Sequence, residues 1–204
     1  MTKNALAITG SAPCVLMDIA ALPRVCAYDF MAIGMDAVHL YMWPILYVAT
    51  FHPADIPEIY RRRAAICGNT DFRIISQEQR DDVHIHIPNG EWWTPSGSSA
   101  LLGVQAAIQR LGYERIVLCG CPLRGKNHAG NDYNLDFSRG WIARRAELGG
   151  KVRSMSGWTQ EFLGGPTEEW LLASAAPQDV VVALDAGAGA DTTCCGDPPR
   201  EASR

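Results

Sequence analysis

Short apolar segments that end in Gly, Pro or polar residues alternate along this chain with segments of helical spacing. The clearest apolar segments are 5–9, 45–51 and 115–119, and the clearest helical segment is 99–111, where apolar residues recur every three or four positions. Strands that alternate with helices in this way form a parallel sheet with helices on both faces. The pattern therefore predicts a single Rossmann-like α/β domain with a doubly wound, mostly parallel sheet.

The remaining element boundaries follow from the same pattern. Further strands are predicted at 24–28, 72–76, 83–87 and 152–155, and further helices at 14–22, 53–67, 137–148, 159–163 and 167–175. After residue 175 the composition shifts to Ala, Gly, Asp, Thr and Pro. We therefore divide the chain into a Rossmann-like domain, residues 1–175, and a low-complexity tail, residues 176–204, which we expect to be mostly disordered.

Charge, hydropathy and cysteine usage narrow the function classes. The 204 residues include 18 Lys and Arg against 22 Asp and Glu, a net charge of -4, so binding to duplex nucleic acid is not expected. The most apolar stretch, 31–51, is interrupted by Asp36, His39 and Pro44 and falls short of the roughly 18 apolar residues of a membrane span. The N-terminus has only a short apolar run, unlike a signal peptide, so we expect a cytoplasmic protein. Seven cysteines without zinc spacing predict reduced thiols and no metal site. A homo-oligomer is compatible with the sequence.

Ligands of open parallel sheets bind outside the carboxyl ends of the strands, so the residues after each predicted strand are site candidates. Gly10-Ser11-Ala12-Pro13 follows the first strand, where backbone N–H groups at a helix N-terminus would suit a phosphate. An ordinary strand-to-helix turn is the alternative, since no GxGxxG or Walker pattern is present. We expect a valine at position 10 to block phosphate binding and to leave the fold intact.

A second small-residue turn precedes the helix at 99–111. Ser96-Gly97-Ser98-Ser99 could bind a second anion or ribose hydroxyls, with an ordinary N-cap as the alternative. The other predicted nucleotide contacts each follow a predicted strand: Asp29, Gly120 and Ser156.

His52 and His128 are the predicted acid–base groups, because histidine titrates near neutral pH. A capping or packing role is the alternative for His52, and a solvated side chain is the alternative for His128. His84 and His86 alternate along a strand without a third metal ligand, and we interpret them as residues of the sheet surface. Trp92-Trp93 could stack on a base or sugar, or pack as a lid on the core.

Several of these segments together resemble a known pattern. The turn Gly10-Ser-Ala-Pro13 resembles the GxGPS turn of bacterial family 42 sialyltransferases and of archaeal 6-hydroxymethylpterin diphosphokinase-like proteins. The block 96–120 resembles their small-residue turn, helix ending in Leu-Gly-Tyr and strand ending in Gly, and Tyr133 with Phe137 resembles their Tyr-x-x-Phe. Short proteins of this type also resemble phage or prophage products.

The resemblance implies a Rossmann-like protein that uses a nucleotide or nucleotide sugar. In a glycosyltransferase-like enzyme, the slightly favoured reading, His128 or His52 would be the base and Tyr133 would steady the leaving phosphate. A diphosphokinase-like enzyme is an alternative that would need Mg²⁺, for which Asp29, Asp132 and Asp136 are the candidate ligands. A nucleotide-binding protein without catalysis is the other alternative, since Gly120-Cys-Pro-Leu123 stands where the families have Gly-x-Asp-Phe.

Overall fold

The computed structural model describes residues 4–38, 44–88, 98–124 and 137–173. Within these ranges one sheet contains seven parallel strands in the order β5-β4-β3-β2-β1-β6-β7. The strands are β1 (Ala5–Thr9), β2 (Tyr28–Ile33), β3 (Tyr47–Ala49), β4 (Arg73–Ser76), β5 (Ile85–His86), β6 (Ile116–Cys119) and β7 (Val152–Ser154). The predicted α/β fold with a doubly wound parallel sheet is therefore confirmed.

Helices cover both faces of this sheet. They are α1 (Val15–Ala20), α2 (Gly34–Ala37), α3 (Ile56–Cys67), α4 (Ser99–Gln109), α5 (Phe137–Ala143), α6 (Arg145–Leu148), α7 (Gly157–Leu163) and α8 (Glu168–Leu172), with a 3₁₀ turn at Pro53–Asp55 before α3. Side chains along the central strand β1 alternate between the two faces of the sheet. Leu6 and Ile8 pack on the side of α4, whereas Ala5 and Ala7 pack on the side of α1. Both faces of β1 are buried, which explains its unbroken apolar sequence.

The order of the strands reverses direction at β1. From β1 the chain adds β2 to β5 on one side, and α4 then returns it across the sheet so that β6 pairs with the other side of β1. The loops after β1 and β6 therefore leave the sheet side by side, over opposite faces. Such a switch point leaves a crevice at the carboxyl edge, where ligands of this fold class bind.

The predicted boundaries of the second strand were wrong. β2 runs from Tyr28 to Ile33, so Asp29 lies at its amino end, paired in register with Leu6, and not at its carboxyl end. The Asp29 carboxylate accepts a hydrogen bond from the Tyr113 hydroxyl at 2.6 Å and another from the Asn4 amide at 3.0 Å. These two bonds stabilise the Asp29 carboxylate within β2, although the sequence predicts that the strand ends before Asp29.

The described residues all fall within one compact unit. The predicted tail, Trp92-Trp93, Ser96, Gly97, His128 and Tyr133 all lie outside the described residues. No helix in the described ranges is both long enough and apolar enough to cross a bilayer.

Candidate functional site

A cavity of about 240 Å³ opens at the carboxyl edge of the sheet, at the switch point between β1 and β6. It is built from the segments that follow the four adjacent strands β3, β2, β1 and β6, together with the start of α4 and the start of α5. The described lining residues are Gly10, Ser11, Ile33, Gly34, Met35, His52, Asp55, Ser98, Ser99, Ala100, Gly120, Cys121, Leu123 and Phe137. None of these is Lys or Arg, so an anion in the cavity would depend on N–H groups and hydroxyls.

The loops after β1 and β6 contact each other directly in the floor of this cavity. The Gly10 N–H donates to the Cys119 carbonyl at 2.8 Å, and the Ala12 N–H donates to the Gly120 carbonyl at 3.2 Å. A Cβ on Gly10 would overlap the Gly120 carbonyl oxygen and would lie 2.7 Å from Cys121 Sγ. The expectation that valine at position 10 leaves the fold intact is therefore wrong, because glycine there allows two loops to pack.

The Gly10–Pro13 turn offers fewer N–H donors to an anion than its sequence predicts. Helix α1 begins only at Val15, and the Gly10 and Ala12 N–H groups are already bonded within the protein. Ser11 keeps its N–H and hydroxyl without a hydrogen-bond partner in the described part of the chain, and it lines the cavity. Pro13 is exposed and lies outside the lining, and Ala12 is buried beneath it.

Asp18 is buried beneath these loops and ties them together. Its Oδ2 accepts a hydrogen bond from the Gly120 N–H and another from the Ser156 hydroxyl, both at 2.7 Å. Ser156 also lies 3.3 Å from Cys14 Sγ. One carboxylate thus joins α1 to the segments after β6 and β7, and Ser156 serves this network instead of lining the cavity as predicted.

Gly120 needs glycine for two separate reasons. Its φ is +64°, a left-handed conformation that side chains disfavour. An added Cβ would lie 2.5 Å from the Cβ of Val15 in α1. The sharp turn after β6 therefore brings the Gly120 N–H onto Asp18 and places α1 directly against the strand end.

The N-terminus of α4 supplies free donors to the cavity. Ser98 is the N-cap, and its hydroxyl accepts from the Leu101 N–H at 3.4 Å. The Ser99 and Ala100 N–H groups have no acceptor within the described ranges, as expected for the first turn of a helix. Both residues line the cavity, and the Ser99 hydroxyl accepts from the Phe51 N–H at 3.3 Å. The eleven-residue helix adds its positive N-terminal dipole at this point.

His52 and Asp55, in the segment that follows β3, form one wall of the cavity. The His52 N–H donates to the Thr50 hydroxyl at 3.0 Å, and the Asp55 N–H donates to the His52 carbonyl at 2.9 Å. Pro53 is buried, and it starts the short 3₁₀ turn that leads into α3. The backbone at His52 is thus fixed, while its imidazole is exposed at the sheet edge where the sequence predicts an acid–base group.

The thiols near the site are held in the neutral form. Burial raises the pKa of Cys119 and of Cys121, and the negative charge of Asp18 adds to the effect. Burial also raises the pKa of Cys14. The five cysteines within the described ranges are free thiols. A raised pKa lowers the thiolate fraction, so these groups fit packing and not nucleophilic catalysis.

His84 and His86 lie at the opposite edge strand and hold backbone groups there. His84 Nδ1 accepts from the Ile74 N–H at 3.0 Å, and His86 Nε2 lies 3.1 Å from the Gln77 carbonyl. Both rings therefore contact backbone groups beside the edge strand β5, and only His86 lies within that strand.

The structure thus gathers Gly10, Ser11, His52, Ser98, Ser99 and Gly120 of the predicted site residues around one cavity. It places Asp29, Ala12, Pro13 and Ser156 elsewhere. Sequence reasoning missed Asp18 and Asp55. Asp18 gave a signal, as a carboxylate within an otherwise apolar helix turn, but Asp55 looked like an ordinary residue of a first helical turn.

Comparison with known proteins gives no relative. No family model, no curated protein and no solved structure matches the chain.

Proposed function

We propose that the chain binds a nucleotide through its phosphate at the N-terminus of α4 and uses it as a glycosyl donor. The observation that carries the proposal is the pair of Ser99 and Ala100 N–H groups, which have no acceptor among the described residues and which open on a cavity at the strand switch point. The helix dipole favours an anion there. Ser11 lines the same cavity, and its N–H and hydroxyl, which bond to none of the described residues, would add two donors.

His52 is the described group that could act as a base on an acceptor hydroxyl. In the transfer step, the acceptor oxygen forms a bond to the anomeric carbon of the sugar while its proton passes to the imidazole. The bond between that carbon and the phosphate oxygen breaks, and its electron pair leaves with the nucleotide. A base of this kind accelerates transfer by about 10²–10⁴-fold. The resemblance to sialyltransferases supports this chemistry.

A binding protein without catalysis is the second candidate. Within the described ranges, the segment after β6 brings Gly120, Cys121 and Leu123 to the cavity and no carboxylate, whereas an Asp follows this strand in the resembling families. A diphosphokinase-like reaction has less support, because Asp29, one of its three candidate magnesium ligands, lies at the amino edge of the sheet.

The binding proposal is tested by Ser99→Asp. A carboxylate in the first turn suits the helix and can still accept from the Phe51 N–H, so the melting temperature should not fall. The same charge should repel a phosphate and weaken nucleotide binding at least tenfold, about 1.4 kcal/mol. Calorimetric titration with UDP, CMP, GDP and ADP measures this.

Asn69→Asp is the matched control, because it adds the same charge beyond the end of α3, before β4, and can still accept from the Asp71 N–H. Equal affinities for both variants, or no nucleotide bound by the wild type, would refute the proposal. His52→Gln then separates the two candidates: an enzyme loses turnover with little change in nucleotide affinity. A binding protein releases no nucleotide from any sugar donor.

A further inference from the structure

A second cleft adjoins the proposed nucleotide cavity and shares a wall with it. This cleft has a volume of about 470 Å³ and is lined by residues 51–55 together with Glu78 and Arg80. His52 and Asp55 line both spaces. His52 could therefore contact both a molecule in the second cleft and a nucleotide in the first cavity.

Hydrogen bonds fix both walls of this cleft. The Gln77 side-chain amide donates to the Phe51 carbonyl at 3.0 Å, which ties the segment after β4 to the end of β3. The Gln77 carbonyl is in turn 3.1 Å from His86 Nε2. The backbone positions of His52 and Glu78 are thus set by their neighbours, and the cleft does not need a ligand to form.

The charges in the cleft do not balance. Arg80 is neutralised by Asp82 through two hydrogen bonds, Nε to Oδ1 at 3.0 Å and Nη2 to Oδ2 at 3.1 Å. The Asp55 and Glu78 carboxylates make no side-chain hydrogen bond or ion pair within the described ranges. A cleft with two unpaired carboxylates attracts a cation and repels an anion.

We infer that this cleft is the acceptor subsite, and that it takes a hydroxylated acceptor carrying an amino group. The amino group would lie against Glu78 and Asp55, and a hydroxyl would lie against His52, which takes its proton in the transfer described above. The inference rests on the proposed function for its role in transfer, but the binding it requires can be measured without any nucleotide.

The test titrates the full chain, without nucleotide, with glucosamine, glucose and glucuronate. These probes share a hydroxylated ring and differ in charge. The proton–carbon NMR signal of the His52 ring, assigned with His52→Gln, reports occupancy. Glucosamine should shift this signal and bind at least fivefold more tightly than glucose, and glucuronate should leave the signal unchanged. No shift with glucosamine, or an equal shift with glucuronate, would overturn the inference.

Glu78→Gln tests the charge directly and should weaken glucosamine binding at least threefold. Glu161→Gln, which removes an exposed carboxylate on α7, is the matched control and should have no effect. Asp55→Asn provides a second variant with the same expectation as Glu78→Gln. If both cleft variants bind glucosamine like the wild type, the assignment is wrong. Nucleotide binding without glucosamine binding would leave the proposed function standing and remove only this inference.

Discussion

Removing the Asp18 carboxylate should loosen the floor of the site more than any other single truncation there. Asp18→Ala deletes two charge-assisted hydrogen bonds of 2.7 Å and leaves the buried Gly120 N–H without an acceptor. Hydrogen bonds to a charged group contribute about 1.5–3 kcal/mol each, and an unpaired buried donor costs about 1–3 kcal/mol. Because Ser156 can turn toward Cys14, we expect a net loss of about 3 kcal/mol.

Urea unfolding followed by circular dichroism measures this loss. For a domain of this size, about 3 kcal/mol corresponds to a fall in melting temperature of roughly 6–12 °C. Natural domains have about 5–15 kcal/mol of stability, so the variant should still fold. Asp18→Asn can keep one acceptor oxygen and should lose about half as much.

Ser156→Ala is the matched control, because it removes one of the two bonds and leaves Gly120 paired with Asp18. It should cost only about 1.5 kcal/mol, the lower end of the range for a bond to a charged group, because Ser156 is only half-buried and no buried donor loses its acceptor. In the double variant, the effect of the serine change should largely disappear. A loss below about 1 kcal/mol for Asp18→Ala, or fully additive effects in the double variant, would refute the view that this carboxylate joins the loops.

Two further expectations follow from particular contacts. Gly10→Ala should lower the free energy of unfolding by about 1–3 kcal/mol, because its Cβ would overlap the Gly120 carbonyl; an unchanged urea midpoint would contradict this. The pKa of Glu58 is lowered from 4.5 to about 2 by hydrogen bonds from Arg61 and then Arg62, so its stabilising contribution is present above pH 4.5 and is lost as the pH falls toward 2. A carboxyl-carbon NMR titration should show this pKa, and Arg61→Gln should raise it; a Glu58 pKa near 4.5 in the wild type would be the contrary result.

The sequence alone predicts the bounds of the elements whose apolar pattern is strong. β1 has its predicted bounds, and α4 begins at the predicted Ser99 and ends two residues early. Both are elements whose burial is uniform or strictly periodic. β2 failed because the expected break at Asp29 is cancelled by Tyr113, a residue 84 positions away in the chain. A local pattern carries no information about such a partner.

The same distinction applies to the site. The rule that ligands bind at the carboxyl ends of parallel strands predicts that Ser11, His52 and Ser99 lie close together, and all three line one cavity. It could not find Asp18, whose two partners lie 102 and 138 positions away. Nor could it predict that the Ser156 hydroxyl bonds to Asp18. A serine after a strand gives the same sequence pattern whether its hydroxyl faces a ligand or another loop.

Glycine after β1 had two physical readings, and the structure separates them. In one, the missing side chain allows a phosphate to approach the backbone; in the other, it allows a second loop to approach. Gly10 follows the second reading, since the space its Cβ would need is filled by Gly120 and Cys121. For the proposed anion, the donors would then come mainly from α4, where the Ser99 and Ala100 N–H groups have no acceptor among the described residues. A substitution at Gly10 should therefore mainly lower the free energy of unfolding. Ser99→Asp should instead weaken nucleotide binding and leave the stability unchanged.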